Sequence, residues 1–495
     1  MTKSKLPFNH RPMCYIALAV CVLLVLLLWL GIWAGFAFIA MLAVGFAIHR
    51  RQALMWTIAL VVCVLVVGSF SLTTFLHTNQ RTFSGTGEIQ GTIVRHNLNA
   101  ANTNNFVLTN VTFNGTSVRG RTQVFIRDNC PIVGELVASG YVVSFRSTLR
   151  PTGGSDFHIN NRILYNANVR EMTVIGACTS VRSTVRRTVR NYLERFMSEQ
   201  NAFFIYSMMF GDRSEMDPEL RLAASDAGLA HVFSVSGMHV GLVIGILLIA
   251  LKFLKIPRKY QLFMLIPFML FYMYLCDFRF PVIRACIMMT VLLVAHLHLR
   301  KTDLLSSICL AGVISLVIFP YALMSVSFQM SYACMIGIAL LYRPIDNFVR
   351  SKIGNSKPSR YVSAIIAIDL ATTIAIFPVM LRFFGFYSLI GVIANLFLLA
   401  VIVLAFQLAV IAVFTVIGFP LLWLTDLLLH GVTMGINFIA SHPWGVLRTG
   451  TQEGYFYLIY FAGLILLSRF VFIKPIYKYM VAATCFVIYT LYVLL

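Results

Sequence analysis

The stretch Gly228-Leu-Ala-His-Val-Phe-Ser-Val-Ser-Gly-Met-His-Val-Gly holds a dense group of possible nucleophiles and bases: His231, Ser234, Ser236 and His239. On a helix, His231 and Ser234 would share a face, and so would Ser236 and His239. A serine beside a histidine suggests acyl transfer, with Ser236 as nucleophile and His239 as base of a hydrolase or transferase. No acidic residue adjoins the pair to orient the imidazole. A polar lining or packing role is therefore the stronger reading. Gly237, Gly241 and Gly245 recur every fourth residue and form a ridge that a second helix can approach closely.

This stretch opens an apolar run, and such runs dominate the chain. Of 495 residues, 59% are apolar and 12% charged, a balance that excludes an ordinary soluble protein. Runs of about 17–25 apolar residues read as membrane spans. Three open the chain, near 13–30, 33–48 and 53–76. About ten more follow, at 231–251, 260–276, 282–299, 304–319, 326–342, 362–381, 389–416, 421–440, 455–470 and 475–495. The run 389–416 is too long for one straight span. Basic residues cluster in alternate loops: Lys252 to Lys259, Arg300–Lys301, Arg343 to Arg360, and Arg469 to Lys478. These loops are assigned to the cytoplasm. The turn Gly418-Phe-Pro420 carries no charge to assign it a side.

Residues 77–200 differ in kind. Alternating segments such as Val118-Arg-Gly-Arg-Thr-Gln-Val-Phe-Ile, bounded by Asn114-Gly115 and Gly153-Gly154, read as about five strands. A small closed barrel of OB-fold type is expected over 77–178, outside the cytoplasm. From Val181, arginines surround Val181, Val185 and Val189 in an amphipathic helix suited to a membrane surface. The expected division is a three-helix membrane segment (1–76), the barrel (77–178), interfacial helices (179–229) and a membrane block (230–495). Between 77 and 200 stand fourteen arginines, no lysine and seven acids. Arginine forks onto phosphate and stacks on bases, so Arg119, Arg121 and Arg127 with Phe106 and Phe125 are candidate contacts for single-stranded nucleic acid. Aromatics filling the core and arginines facing headgroups is the alternative. Cys130 and Cys178 can pair in an oxidising compartment, or remain two buried thiols.

Polar residues inside the apolar runs mark functional positions or internal pairs. They are Arg284, Gln329, Asp369, Asn395 and Asp426. Arg284 suits a phosphate or a pairing with Asp277. Asp369 could couple protons in a small-molecule or lipid transporter, but no inverted repeat is visible.

The segment His231-Val-Phe-Ser-Val-Ser-Gly-Met-His-Val-Gly resembles the signature of the ComEC family of competence DNA-uptake channels. Collinear segments agree: Gly211-Asp-Arg-Ser, Arg284-Ala-Cys-Ile-Met, Ser327-Phe-Gln-Met-Ser-Tyr-Ala-Cys, Pro378-Val-Met-Leu-Arg-Phe-Phe-Gly and Asn395-Leu-Phe. The resemblance covers roughly 80–490. It implies a channel in the bacterial inner membrane that receives one DNA strand in natural transformation. His231, Ser234, Ser236, Gly237, His239, Arg284, Gln329 and Asn395 would be the matched positions, with Asp369 added from the residue reading. It implies a DNA-handling external barrel and supports a Cys130–Cys178 disulfide. The expected partners are single-stranded DNA, membrane lipid, a DNA receptor, a separate nuclease, and a cytoplasmic motor or single-strand-binding protein. Many family members end in a metallo-β-lactamase-like domain with a His-x-His-x-Asp-His motif. Here His296-Leu-His298 lacks the Asp-His continuation, and no Gly-Lys-Ser/Thr loop occurs. No metal, no cofactor and no enzymatic activity are expected.

Overall fold

The computed structural model describes residues 12–30, 33, 35, 37–42, 53–79, 83–98, 104–126, 141–152, 158–159, 162–169, 171–177, 180–212, 216–233, 235–297, 304–354, 356–415, 418–442, 445–450, 457–467, 481 and 484–490. Arg127, Cys130, Cys178 and Ser234 lie outside these residues, so the disulfide does too.

Among the described residues, α1 (Pro12–Leu30) and α2 (Ala53–Asn79), with helical residues 37–42 between them, precede the barrel. Ile16, Val20 and Leu23 of α1 and Cys63 and Val66 of α2 bury into one core with Ile308, Val313 and Leu316 of α9 (Leu304–Ile318). The opening helices thus belong to the same packed body as the later ones.

The strands are β1 (Gly85–Leu98), β2 (Asn104–Phe113), β3 (Thr116–Ser117), β4 (Arg121–Ile126), β5 (Tyr141–Pro151), β6 (Ile163–Val169) and β7 (Thr173–Ala177). β1 pairs antiparallel with β2 through one part of its length and with β5 through another. The ring runs β1-β2-β4-β6-β5 and back to β1, with β4 and β6 parallel. This is the closed five-stranded barrel expected from the strand spacing. β1 can curve between two partners because its register shifts between Gln90 and Thr92. Gly91 lies at that irregularity, where a Cβ would stand 3.2 Å from Leu108 Cβ. Ile89, Phe106, Val124, Phe145 and Tyr165 fill the interior.

The chain then forms α3 (Val181–Glu194), α4 (Glu199–Phe210) and α5 (Pro218–Asp226). Ser180 caps α3 by accepting from the Ser183 N–H, and Asp217 caps α5, with Pro218 in its first turn. Next come α6 (Gly237–Phe253), α7 (Arg258–Leu275), α8 (Phe280–Leu297), then α9, α10 (Val326–Ile353) and α11 (Lys357–Phe384). α12 (Gly391–Thr415), α13 (Leu421–Ala440) and α14 (Tyr457–Leu467) follow. A short pair, β8 (Phe386–Ser388) with β9 (Val446–Arg448), joins the segments before α12 and after α13.

Among the described residues, five helices are long and apolar enough to cross a membrane, and five shorter apolar helices accompany them. The protein is a polytopic helical membrane protein with an inserted barrel. Several spans differ from the hydropathy reading. Residues 231–233 form a turn, and the first helix of the second block begins at Gly237. α10 and α11 have 28 residues each. At about 1.5 Å per residue each is longer than the roughly 30 Å hydrocarbon core, and of the two α11 is among the helices apolar enough to cross it. α12 runs unbroken, but Asn395–Leu399 is a π-turn, which relieves the over-long run without ending it.

Candidate functional site

The signature loop is held at both ends by close backbone approach. At its start, Gly228 adopts φ +74°, and a Cβ there would stand 2.8 Å from Gly391 Cα. Ser388 fixes this crossing: its Oγ donates to Asp226 O at 2.6 Å and accepts from Gly391 N–H at 3.2 Å. At its end, Gly237 faces α8, where a Cβ would stand 3.7 Å from Ala285 Cβ, and Gly241 faces Met289. Gly245 faces open space, so only the first two glycines of the ridge meet a neighbour.

Ser236 is the N-cap of α6. Its backbone N–H donates to His239 Nδ1 at 3.1 Å, and its Oγ lies 3.3 Å from the same nitrogen. His239 therefore occupies the place that Glu or Gln takes in a capping box. Its Nδ1 serves the helix end rather than standing open as a base for Ser236. The imidazole is fully buried and lies 5.0 Å from the Phe406 ring of α12. His231 is exposed, with Nδ1 3.2 Å from Gly228 O. His231 lies in a turn over residues 231–233, and Ser234, its expected helical neighbour, lies outside the described residues.

The loop lies between two polar groups. Arg284, one residue from the Ala285 that Gly237 touches, is 3% exposed. Its Nη2 donates to Ser327 O at 2.7 Å and to Ser327 Oγ at 3.3 Å, and its guanidinium lies 5.7 Å from the Phe328 ring. Its Nε and Nη1 have no hydrogen-bond partner. The alternative pairing with Asp277 is not formed, because Asp277 bonds Arg121 at 3.0 Å and Arg182 at 2.8 Å. Nearby on α10, Gln329 donates to Leu323 O and accepts from Tyr457 OH. The other group follows the loop's Gly391 contact. Asn395, in the π-turn of α12, lies near the side chain of Asp369 on α11, and its Oδ1 has no partner. Tyr387 of β8 reaches Thr373 beside them. Asp426 stands apart. It accepts from Ser198 N and Oγ and Asn201 Nδ2, and ties α13 to the start of α4. Beside it, a Cβ on Gly418 would meet Phe196, so the uncharged turn packs against the α3–α4 connection.

The barrel candidates divide. Phe106 is fully buried in the interior, which corrects the expectation that it offers a ring to bases. The strand register places it opposite core residue Val124, in a stretch of β2 where Asn105, Val107 and Leu108 are buried as well. Phe106→Ala should destabilise the barrel by about 3–5 kcal/mol, read from a melt or proteolysis, rather than only weaken ligand binding. Phe125 lies on the opposite face, half-buried, and Arg119 is exposed. Arg121 reaches away from the barrel to Asp277.

The amphipathic helix α3 turns much of its charge inward. Arg182 meets Asp277, Arg186 lies 3.8 Å from Asp212, and Arg190 meets Glu194. Arg186 and Arg190 also lie over Phe210 and Phe203 of α4. These side chains join barrel, surface helix and membrane block, while Arg187 stays exposed. Sequence reading missed Asp212 as a partner and named Asp277 only as one for Arg284. The available signal was two carboxylates at the ends of apolar runs in a chain with only 18 acids.

A polytopic helical membrane bundle with an inserted closed barrel, a polar loop and a buried arginine defines the class. Comparison then assigns the family: the competence protein family matches residues 208–472, more than half of the chain, and the chain belongs to it. Curated relatives include ComE operon protein 3 of Bacillus subtilis, 23% identical over 48% of this chain and 30% of that protein. Recombination protein 2 of Haemophilus influenzae is 25% identical over 59% of this chain and 38% of its own length. An uncharacterized protein of Aquifex aeolicus is 25% identical over 48% and 57%. The matched stretch therefore spans less than two thirds of each of these relatives. No solved structure matches.

Proposed function

We propose that the chain passes single-stranded DNA across the bacterial cytoplasmic membrane during natural transformation, with residues 77–200 on the outer side. Membership of the competence family and the names of two relatives support the setting. The observation that carries the reading is Arg284. A buried guanidinium with two unmet donors is unfavourable unless an anion visits it. A sugar-phosphate backbone supplies that anion, and an arginine fork fits phosphate. In cells lacking this chain, labelled DNA should still bind the surface but not reach the cytosol. Normal transformation in a clean deletion would overturn the proposal.

In this reading the chain conducts rather than catalyses. A separate nuclease removes the other strand, and a DNA receptor and a cytoplasmic motor or single-strand-binding protein act on either side. Ser236 then serves as a helix cap. Ser236→Ala should cost about 1 kcal/mol of stability and leave uptake largely intact. Labelling of Ser236 by a fluorophosphonate probe, with uptake lost in the alanine variant, would instead establish a hydrolase.

A further inference from the structure

The junction between barrel and membrane block carries more positive than negative charge. Arg121 of β4 and Arg182 of α3 converge on a single oxygen, Asp277 Oδ1, at 3.0 and 2.8 Å. Asp277 is 4% exposed, while the two arginine side chains are 24% and 20% exposed. Each guanidinium has five N–H donors, and each gives Asp277 one nitrogen. Behind them Arg186 approaches Asp212, and Arg279 packs on Gly211 with its Nε lacking a partner. Among the described residues, three guanidiniums here meet two carboxylates, and Arg279 adds a fourth positive charge beside Gly211.

We propose that this junction is a phosphate-binding clasp, in which a phosphodiester of single-stranded DNA takes Arg121 and Arg182 from Asp277 as the strand passes from the barrel to the membrane block. The inference rests on the DNA-translocation reading and adds a site to it. Two forks around one oxygen are already arranged as a tetrahedral oxyanion would need them. Asp277 holds them in place when no strand is present, so the site is ordered but not closed. The buried Arg186–Asp212 pair keeps α3 against α4 while the outer arginines exchange partners.

The test uses the full chain in nanodiscs of zwitterionic lipid and a fluorescein-labelled oligothymidylate, followed by anisotropy over a range of salt. Asp277→Asn removes the competing charge and keeps the shape, so affinity should rise severalfold. Arg121→Gln with Arg182→Gln should lower affinity at least about tenfold and reduce the salt slope by about 0.7, the share of the one phosphate no longer neutralised. Arg121→Lys with Arg182→Lys should keep most of the salt slope, which separates removal of charge from a loosened junction. An oligonucleotide with uncharged methylphosphonate linkages should bind all variants alike.

Equal or weaker binding by Asp277→Asn, together with unchanged affinity and slope in the glutamine pair, would mean a purely structural ion pair and end the proposal. The translocation reading fails separately: strong clasp-dependent binding by a chain whose deletion leaves transformation normal would keep the clasp and discard the channel.

Discussion

Arg284→Gln is expected to abolish arrival of DNA in the cytosol while leaving the protein at least as stable as before. The two properties should move apart because of how Arg284 is satisfied. Its Nη2 holds Ser327, but Nε and Nη1 are buried without partners. Each unmet buried donor costs about 1–3 kcal/mol, so a neutral amide that still reaches Ser327 relieves the folded state. A passing phosphate would gain charge-assisted bonds of about 1.5–3 kcal/mol each from the same donors. Losing two such bonds lowers flux on the order of a hundredfold or more. Arg284→Lys keeps the charge but loses the planar fork, and should fall between. Transformation frequency and cytosolic label measure the first property, and a thermal melt in detergent measures the second. A lower melting temperature, with uptake falling only as protein abundance falls, would make Arg284 a packing residue.

Gly228→Ala is expected to cost about 3 kcal/mol and to displace the signature loop, reducing uptake even where the barrel stays folded. The left-handed φ accounts for about 1–2 kcal/mol, and the rest comes from pushing Gly391 away. Gly391→Ala presses on the same crossing from the other side, with its Cβ 3.1 Å from Gly228 Cα. Once one substitution has opened the crossing, the second costs less, so the double variant should be less destabilised than the sum. Gly245→Ala is the contrast. Its Cβ meets nothing within 4 Å and lies inside α6, so it should be neutral or stabilise by about 0.5–1 kcal/mol. Equal damage at Gly228 and Gly245 would mean that glycine content as such, not the crossing, matters.

These two predictions act on the ends of one loop. Gly228 meets α12 four residues before Asn395, and Gly237 meets α8 beside Arg284. The loop therefore connects the Asp369–Asn395 group to the buried arginine. Of the positions singled out in the sequence, the structure sets Arg284 by one end of the loop and Asn395 by the other. His231 lies in a turn, where three-residue spacing does not by itself give a shared face. Phe106 failed for a related reason. An aromatic on an alternating strand belongs to one face or the other, and only the register with β4 tells which.

By itself the sequence determined the class. Long apolar runs with basic residues in alternate loops require a membrane, because burial of apolar surface and exclusion of charge from lipid act residue by residue. Alternation and turn residues likewise determined a small barrel, since both are local. The signature and its collinear companions determined the family. Partner choice was decided only by the tertiary structure. Asp277 lies closer in sequence to Arg284 than to Arg182 or Arg121, yet it bonds the latter two. Which guanidinium reaches a carboxylate depends on how helices and barrel pack across long separations in the chain. That packing left Arg284 buried with two donors unmet, and it is the physical basis for assigning the opening Ser-His stretch to a helix cap within the proposed conducting path rather than to a catalytic centre.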